Sequence, residues 1–129
     1  MTRARAIAAL VAGLLGAAEP ALACKCALVP RDRAIAAVPL VFHGRIVRIE
    51  TAPETTPKSG PGDQVTTMTV VRNVKGMARA RTVKVRSHTQ SASCGYDFRD
   101  VEGTVLVGAS RSDDGMLTVR RCVMYNLNR

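Results

Sequence analysis

The chain has 129 residues, 47% of them hydrophobic, and carries 19 Lys+Arg against 10 Asp+Glu, a formal charge of +9. Aromatic residues make up only 3%, too few for the stacking platforms that hold single-stranded nucleic acid, and no apolar run reaches the roughly 20 residues of a membrane-spanning helix. The positive excess leaves anionic polymers, lipid head groups or acidic protein surfaces as partners, or it is simply a well-solvated surface.

The N-terminus reads "MTRARAIAALVAGLLGAAEPALAC". Arg3 and Arg5 form a basic start, Ile7 to Ala18 an uncharged apolar stretch, and Ala21-Leu22-Ala23 a small-x-small cleavage signal. Residues 1–23 are therefore expected to be a signal peptide, with export from the cytoplasm to the periplasm or the medium. A lipoprotein signal competes, because Cys24 follows the cut. Its usual order, a branched apolar residue and then a small one, is reversed in Ala21 and Leu22. Residues 24–129 are long enough for one domain with one core. They keep 17 of the 19 Lys+Arg and 9 of the 10 Asp+Glu, a charge of +8.

Within the domain, "PRDRAIAAVP" (30–39) predicts a short helix near the mature N-terminus. Asp32 is placed to cap it, Ile35 and Val38 share a face, and Pro39 ends it. "LVFHGRIVRIE" (40–50) alternates imperfectly and predicts a strand with an irregularity at Gly44. Residues 51–63, rich in Pro, Gly, Thr and Ser, predict a mobile loop. "QVTTMTVVRNVKG" (64–76) is the clearest strand, with Val65, Thr67, Thr69 and Val71 on one face and Thr66, Met68, Val70 and Arg72 on the other. "RTVKVRS" (81–87) alternates with Val83 and Val85 inward. "SASCGYDFRDVEG" (91–103) connects to the apolar strand "TVLVGAS" (104–110). "RSDDG" turns, "MLTVRRC" (116–122) predicts a last strand, and "VMYNLNR" is a tail. Five short strands and one helix predict a small, mainly β barrel or sandwich.

Four cysteines, Cys24, Cys26, Cys94 and Cys122, all fall after the expected cut. In an exported domain they predict two disulfides. A Cys24–Cys26 bridge would close a strained ring; the two remaining pairings both tie the N-terminus to distant regions. As free thiols, Cys24 and Cys26 would bind soft metals, but His43 and His88 stand in no metal-ligand spacing with them. No nucleophile elbow, zinc-protease helix motif or phosphate loop is present. Asp113 and Asp114 sit in a Ser-Asp-Asp-Gly turn, where Asp is favoured for backbone reasons. The chain is read as a non-enzyme that needs no cofactor.

Cys24-Lys25-Cys26 at a processed terminus, "VFHGRIV", "VVRNVKG", "TVKVRS", "SASCGYDF", "GTVLVGAS" and a terminal "GMLTVRRC" occur in an order that resembles the netrin-like (NTR) domain. Within that family the pattern is similar to the tissue inhibitors of metalloproteinases (TIMP-like), especially their short exported bacterial relatives. The resemblance spans 24–129. It implies an OB-fold, a five-stranded Greek-key barrel, with bridges Cys24–Cys94 and Cys26–Cys122. It implies a monomeric, secreted metalloendopeptidase inhibitor. The Cys24 main-chain amine and carbonyl would chelate the target's zinc, and Lys25, Cys26, Ser91, Ala92 and Ser93 would contact the protease. Lys25 departs from the family, which carries Thr, Ser or Val there; a Lys needs an acid in the receiving pocket. The family's nearby prolines reduce to Pro30, and its second domain is absent. The alternative is a non-inhibitory binding module for a protein or an anionic glycan.

Overall fold

The computed structural model describes residues 24–51, 63–77, 81–89 and 94–129. The predicted signal peptide, most of the predicted 51–63 loop and the predicted contacts Ser91, Ala92 and Ser93 lie outside the described residues.

The protein is mainly β. Helix α1 (Arg31–Ala36) precedes strands β1 (Leu40–Thr51), β2 (Asp63–Lys75), β3 (Thr82–His88), β4 (Thr104–Arg111) and β5 (Leu117–Thr118), and helix α2 (Arg121–Asn128) follows. The strands bond in the closed order β1-β2-β3-β5-β4. β4 returns to β1 antiparallel, from Leu40↔Ala109 to Arg45↔Thr104. β3 and β5 run parallel through only Val85↔Leu117 and Arg86↔Thr118.

The predicted irregularity in β1 is real and more extensive. Pairing between β1 and β2 slips between Val41 and Phe42, between His43 and Gly44, and between Ile46 and Arg48. Each slip leaves one extra residue on one strand: Val74 and Val71 on β2, Val47 on β1. An unpaired bulge residue no longer follows the inward–outward alternation. These three valines are accordingly the exposed ones of the sheet, Val47 at 62% and Val71 at 54%. The two-faced reading of 64–76 holds from Thr66 to Val70 and fails beyond it, since Arg72 pairs with outward-facing His43.

Phe42, Met68, Val85, Val107 and Leu117 of the strands pack together with Phe98 and Met124 in one buried core. Burying an aromatic or a large aliphatic side chain of this kind contributes about 1.5–3 kcal/mol. A second layer outside the ring packs Ala34 and Val38 with Val41, Leu106 and Leu127. Gly108 makes room for it: a Cβ there would stand 2.6 Å from Val123 and 2.7 Å from Leu127.

Two local expectations are corrected. Asp32 lies inside the first turn of α1, Pro30 occupies the cap, and no side chain bonds there. The helix is closed at its other end by Lys75, whose Nζ donates to the carbonyls of Ile35 (3.1 Å) and Val38 (2.7 Å), which suits a cation at a helix C-terminus. The last strand is only two residues long, and Cys122 lies in α2. Because β5 is so short, β4 has an unpaired edge at Leu106. Asn128 of α2 satisfies it, donating to the Leu106 carbonyl (2.8 Å) and accepting from its N–H (3.0 Å).

Candidate functional site

The predicted site residues Cys24, Lys25 and Cys26 begin an extended strip, 24–30, laid along α2. Two bridges hold it: Cys24–Cys94, with Cα atoms 5.3 Å apart, and Cys26–Cys122, at 5.0 Å. They span 70 and 96 residues of sequence and lie against each other, with Cys24 Sγ 3.8 Å from Cys122 Sγ. Cross-links over such lengths stabilise by about 4–5 kcal/mol each in the chain-entropy picture.

Asn126 grips the strip from α2. Its Oδ1 accepts from the Val29 N–H at 3.2 Å, and its Nδ2 donates to the carbonyls of Ala27 and Cys122, both at 3.0 Å. Arg129 adds a bond to the Val29 carbonyl at 2.8 Å. A strip with no sheet partner thereby has its central backbone groups satisfied, as burial against a helix requires.

The other anchor is the turn at Cys94. Cys94 has φ 54°, a left-handed conformation costly for any residue with a Cβ. Gly95 follows because the backbone of β3 passes directly behind it: a Cβ would stand 1.8 Å from the His88 carbonyl oxygen. Arg121 ties this turn to α2, donating its N–H to the Cys94 carbonyl (3.0 Å) and Nε to that of Gly95 (2.9 Å). Further on, Gln64 donates to Asp97 (3.0 Å) and accepts from the Phe98 N–H (2.9 Å). Tyr96 stands edge-on to Phe98 at 4.9 Å, and burial pushes its phenol pKa up. Arg99, through its side-chain hydrogen bonds, holds the Asp97 carboxyl well below the usual carboxylate range.

Lys25 is exposed between the two bridged cysteines. Beside it lies a shallow groove of ≈ 450 Å³ lined by Cys24, Lys25, Cys26, Leu28, Arg121 and Tyr125. Leu28 is 64% and Tyr125 48% exposed, so among the described residues the ridge combines two cations with two large apolar side chains and no carboxylate. His43 lies on β1, where it accepts from Arg72 Nη2 at 3.0 Å, and the His88 side chain, at the end of β3 behind the Cys94 turn, contacts Asp63. All four cysteines are bridged, and among the described residues no group of three or more His, Cys, Asp or Glu could hold a metal ion. What the strip presents to a partner is main chain, the Lys25 ammonium and apolar surface.

Sequence reading missed Asn126, Arg121, Leu28 and Tyr125. Asn126 stands four residues after Cys122, on the buried face of a helix, and that spacing is a signal only once 121–128 is recognised as helical. Read as strand and tail, it carries none.

No protein-family model matches the chain, and no curated protein shows significant similarity to it.

Proposed function

We propose that the domain is a netrin-like OB-fold of the metalloproteinase-inhibitor type, exported and cut before Cys24, and that it inhibits a zinc metalloendopeptidase through its N-terminal residue. The observation that carries this reading is the double pinning of the strip, Cys24 to Cys94 and Cys26 to Cys122. The pairing is the one the family resemblance implies, and the closed five-strand order supports the fold assignment. The bridges suit an oxidising compartment outside the cytoplasm.

A cut before Cys24 turns its amide nitrogen into an amine. Amine and carbonyl oxygen then form a five-membered chelate that fills the open position of a catalytic zinc and displaces its water. A strip already fixed by two bridges and Asn126 loses little freedom on docking. Lys25 enters the pocket beside the metal, and its charge favours a target with a carboxylate there. With no carboxylate among the described residues lining the groove, these residues do not repel such an acidic cleft.

The test combines N-terminal mass analysis of exported protein with inhibition assays on a panel of zinc endopeptidases. The mature chain is expected to start at an unlipidated Cys24. One alanine added before Cys24 should lower inhibition by orders of magnitude and leave the melting temperature unchanged. Lys25→Thr should shift preference toward proteases with apolar pockets. A native protein that inhibits nothing at micromolar concentration, or an extended form that inhibits equally well, would replace this reading with the binding module.

A further inference from the structure

The outer face of β1, β2 and β3 has an order of its own. Register places Arg48, Thr67 and Lys84 in one row across the three strands, and Arg45, Thr69 and Thr82 in the next. Arg72 follows, opposite His43. Arg45, Arg48, Arg72 and Lys84 are all exposed. Neighbouring strands lie about 4.8 Å apart, so the Arg48 and Lys84 positions are roughly 10 Å apart with a threonine between them. Arg45 and Lys84 have no ion-pair partner among the described residues. Arg48 is paired with Glu50 on the same strand (2.9 Å), and Asp114 pairs with Arg86 (2.7 Å), so Arg45 and Lys84 carry the unpaired charge of this face. The bulges set Val47 and Val71, each more than half exposed, among these cations.

We infer that this face docks a linear, carboxylate-bearing polysaccharide. Three of the four cations are arginines, whose planar fork matches a carboxylate better than an ammonium does. The threonine hydroxyls within the rows suit sugar hydroxyls, and the bulge valines offer apolar surface to the C–H faces of sugar rings. Single-stranded nucleic acid fits less well: the face has no aromatic residue to stack a base, since Phe42 and Phe98 are buried and Tyr96 and Tyr125 lie on other elements. A membrane also fits less well, because the two exposed valines sit within the strands among cations rather than at a protruding loop or helix. The face shares no residue with the Cys24 groove, so the inference stands whether or not Cys24 reaches a zinc.

The test is equilibrium binding of the purified protein to polygalacturonate, with its methyl ester, phosphatidylglycerol vesicles and poly-dT as comparisons. Polygalacturonate should bind, weaken as salt rises, and lose affinity on esterification. Each cation removed near a charged surface is expected to cost on the order of fivefold, so Arg45→Ala with Lys84→Ala should lose about 25-fold. Arg33→Ala, on α1, should lose less than about twofold, as expected of a surface change away from the contact. Val47→Ser should weaken polygalacturonate binding with the charge unchanged. Should the double variant melt early, Arg45→Ala alone carries the test at about fivefold. Absence of binding, equal losses from Arg33→Ala, equal binding of the methyl ester, or tighter binding to vesicles or poly-dT than to polygalacturonate each overturns the inference.

Discussion

The backbone of Gly95 runs so close to His88 that a Cβ on residue 95 would stand 1.8 Å from the His88 carbonyl oxygen. This contact sets where the Cys94 turn meets β3, and hence where Cys24 is held. Gly95→Ala must push the turn off the strand. The obstacle is backbone, which cannot swing aside as a side chain does. Overpacking of this kind costs about 1–3 kcal/mol. Denaturant unfolding should show a loss in that range or above, and an unchanged midpoint would mean that the turn has room to shift.

Asn126 makes three hydrogen bonds from a site that is 5% exposed. Asn126→Leu keeps the volume and leaves the Val29 N–H and the Ala27 carbonyl without that partner. Each unsatisfied buried group costs about 1–3 kcal/mol. The expected result is a less stable protein in which the Val29 amide exchanges faster, while amides of β1 and β4 keep their relative protection. Unaltered exchange at Val29 would show that the bridges alone hold the strip.

Cys26 and Cys122 close the longer of the two cross-links. Replacing both by serine avoids a stray thiol and should cost about 2–5 kcal/mol. Non-reducing peptide mapping should still recover Cys24 joined to Cys94. A Cys24–Cys94 bridge that fails to form without its neighbour would show that the two close only together.

Two carboxylates predict the acid limb of stability. The Ser112 hydroxyl, the Arg86 guanidinium and the Met116 N–H hold the Asp114 carboxyl well below its ordinary range, and Asp97 is lowered by Arg99. Both groups bind protons less readily folded than unfolded, so stability rises with pH through this region. Their contribution is present above the unfolded value of about 4 and is lost as pH falls through the lower folded values. Asp114→Asn should flatten the fall in melting temperature below about pH 4. A variant with the same acid slope as the native protein would assign that slope to other groups.

Much of the mainly β layout was legible in the sequence. "TVKVRS" and "TVLVGAS" alternate or run apolar with turn residues at both ends, and β3 and β4 fall within one residue of the expected spans. Four cysteines after an expected export signal pointed to two bridges, and family resemblance, rather than spacing, indicated which pairs. The Asp-Asp-Gly turn at 113–115 followed from local chemistry alone.

Tertiary structure decided the rest. "MLTVRRC" alternates as a strand should, yet only Leu117 and Thr118 find partners, because β3 and β4 offer them just two residues each. Beyond that point burial outweighs local propensity: Met124 and Leu127 reach the core only if 121–128 winds as a helix, and Gly108 is the gap that admits it. Gly44 marked the slip that leaves out Val71, but the bulges at Val47 and Val74 leave no mark in composition. They arise where two long strands must bend to close a small ring, and a bend can be placed only when both strands and their partners are present. The grip of Asn126 on Ala27 and Val29 joins residues almost a hundred positions apart. Local pattern carries no trace of such a contact, because it exists only after the ring has closed and α2 has come to lie under the N-terminal strip.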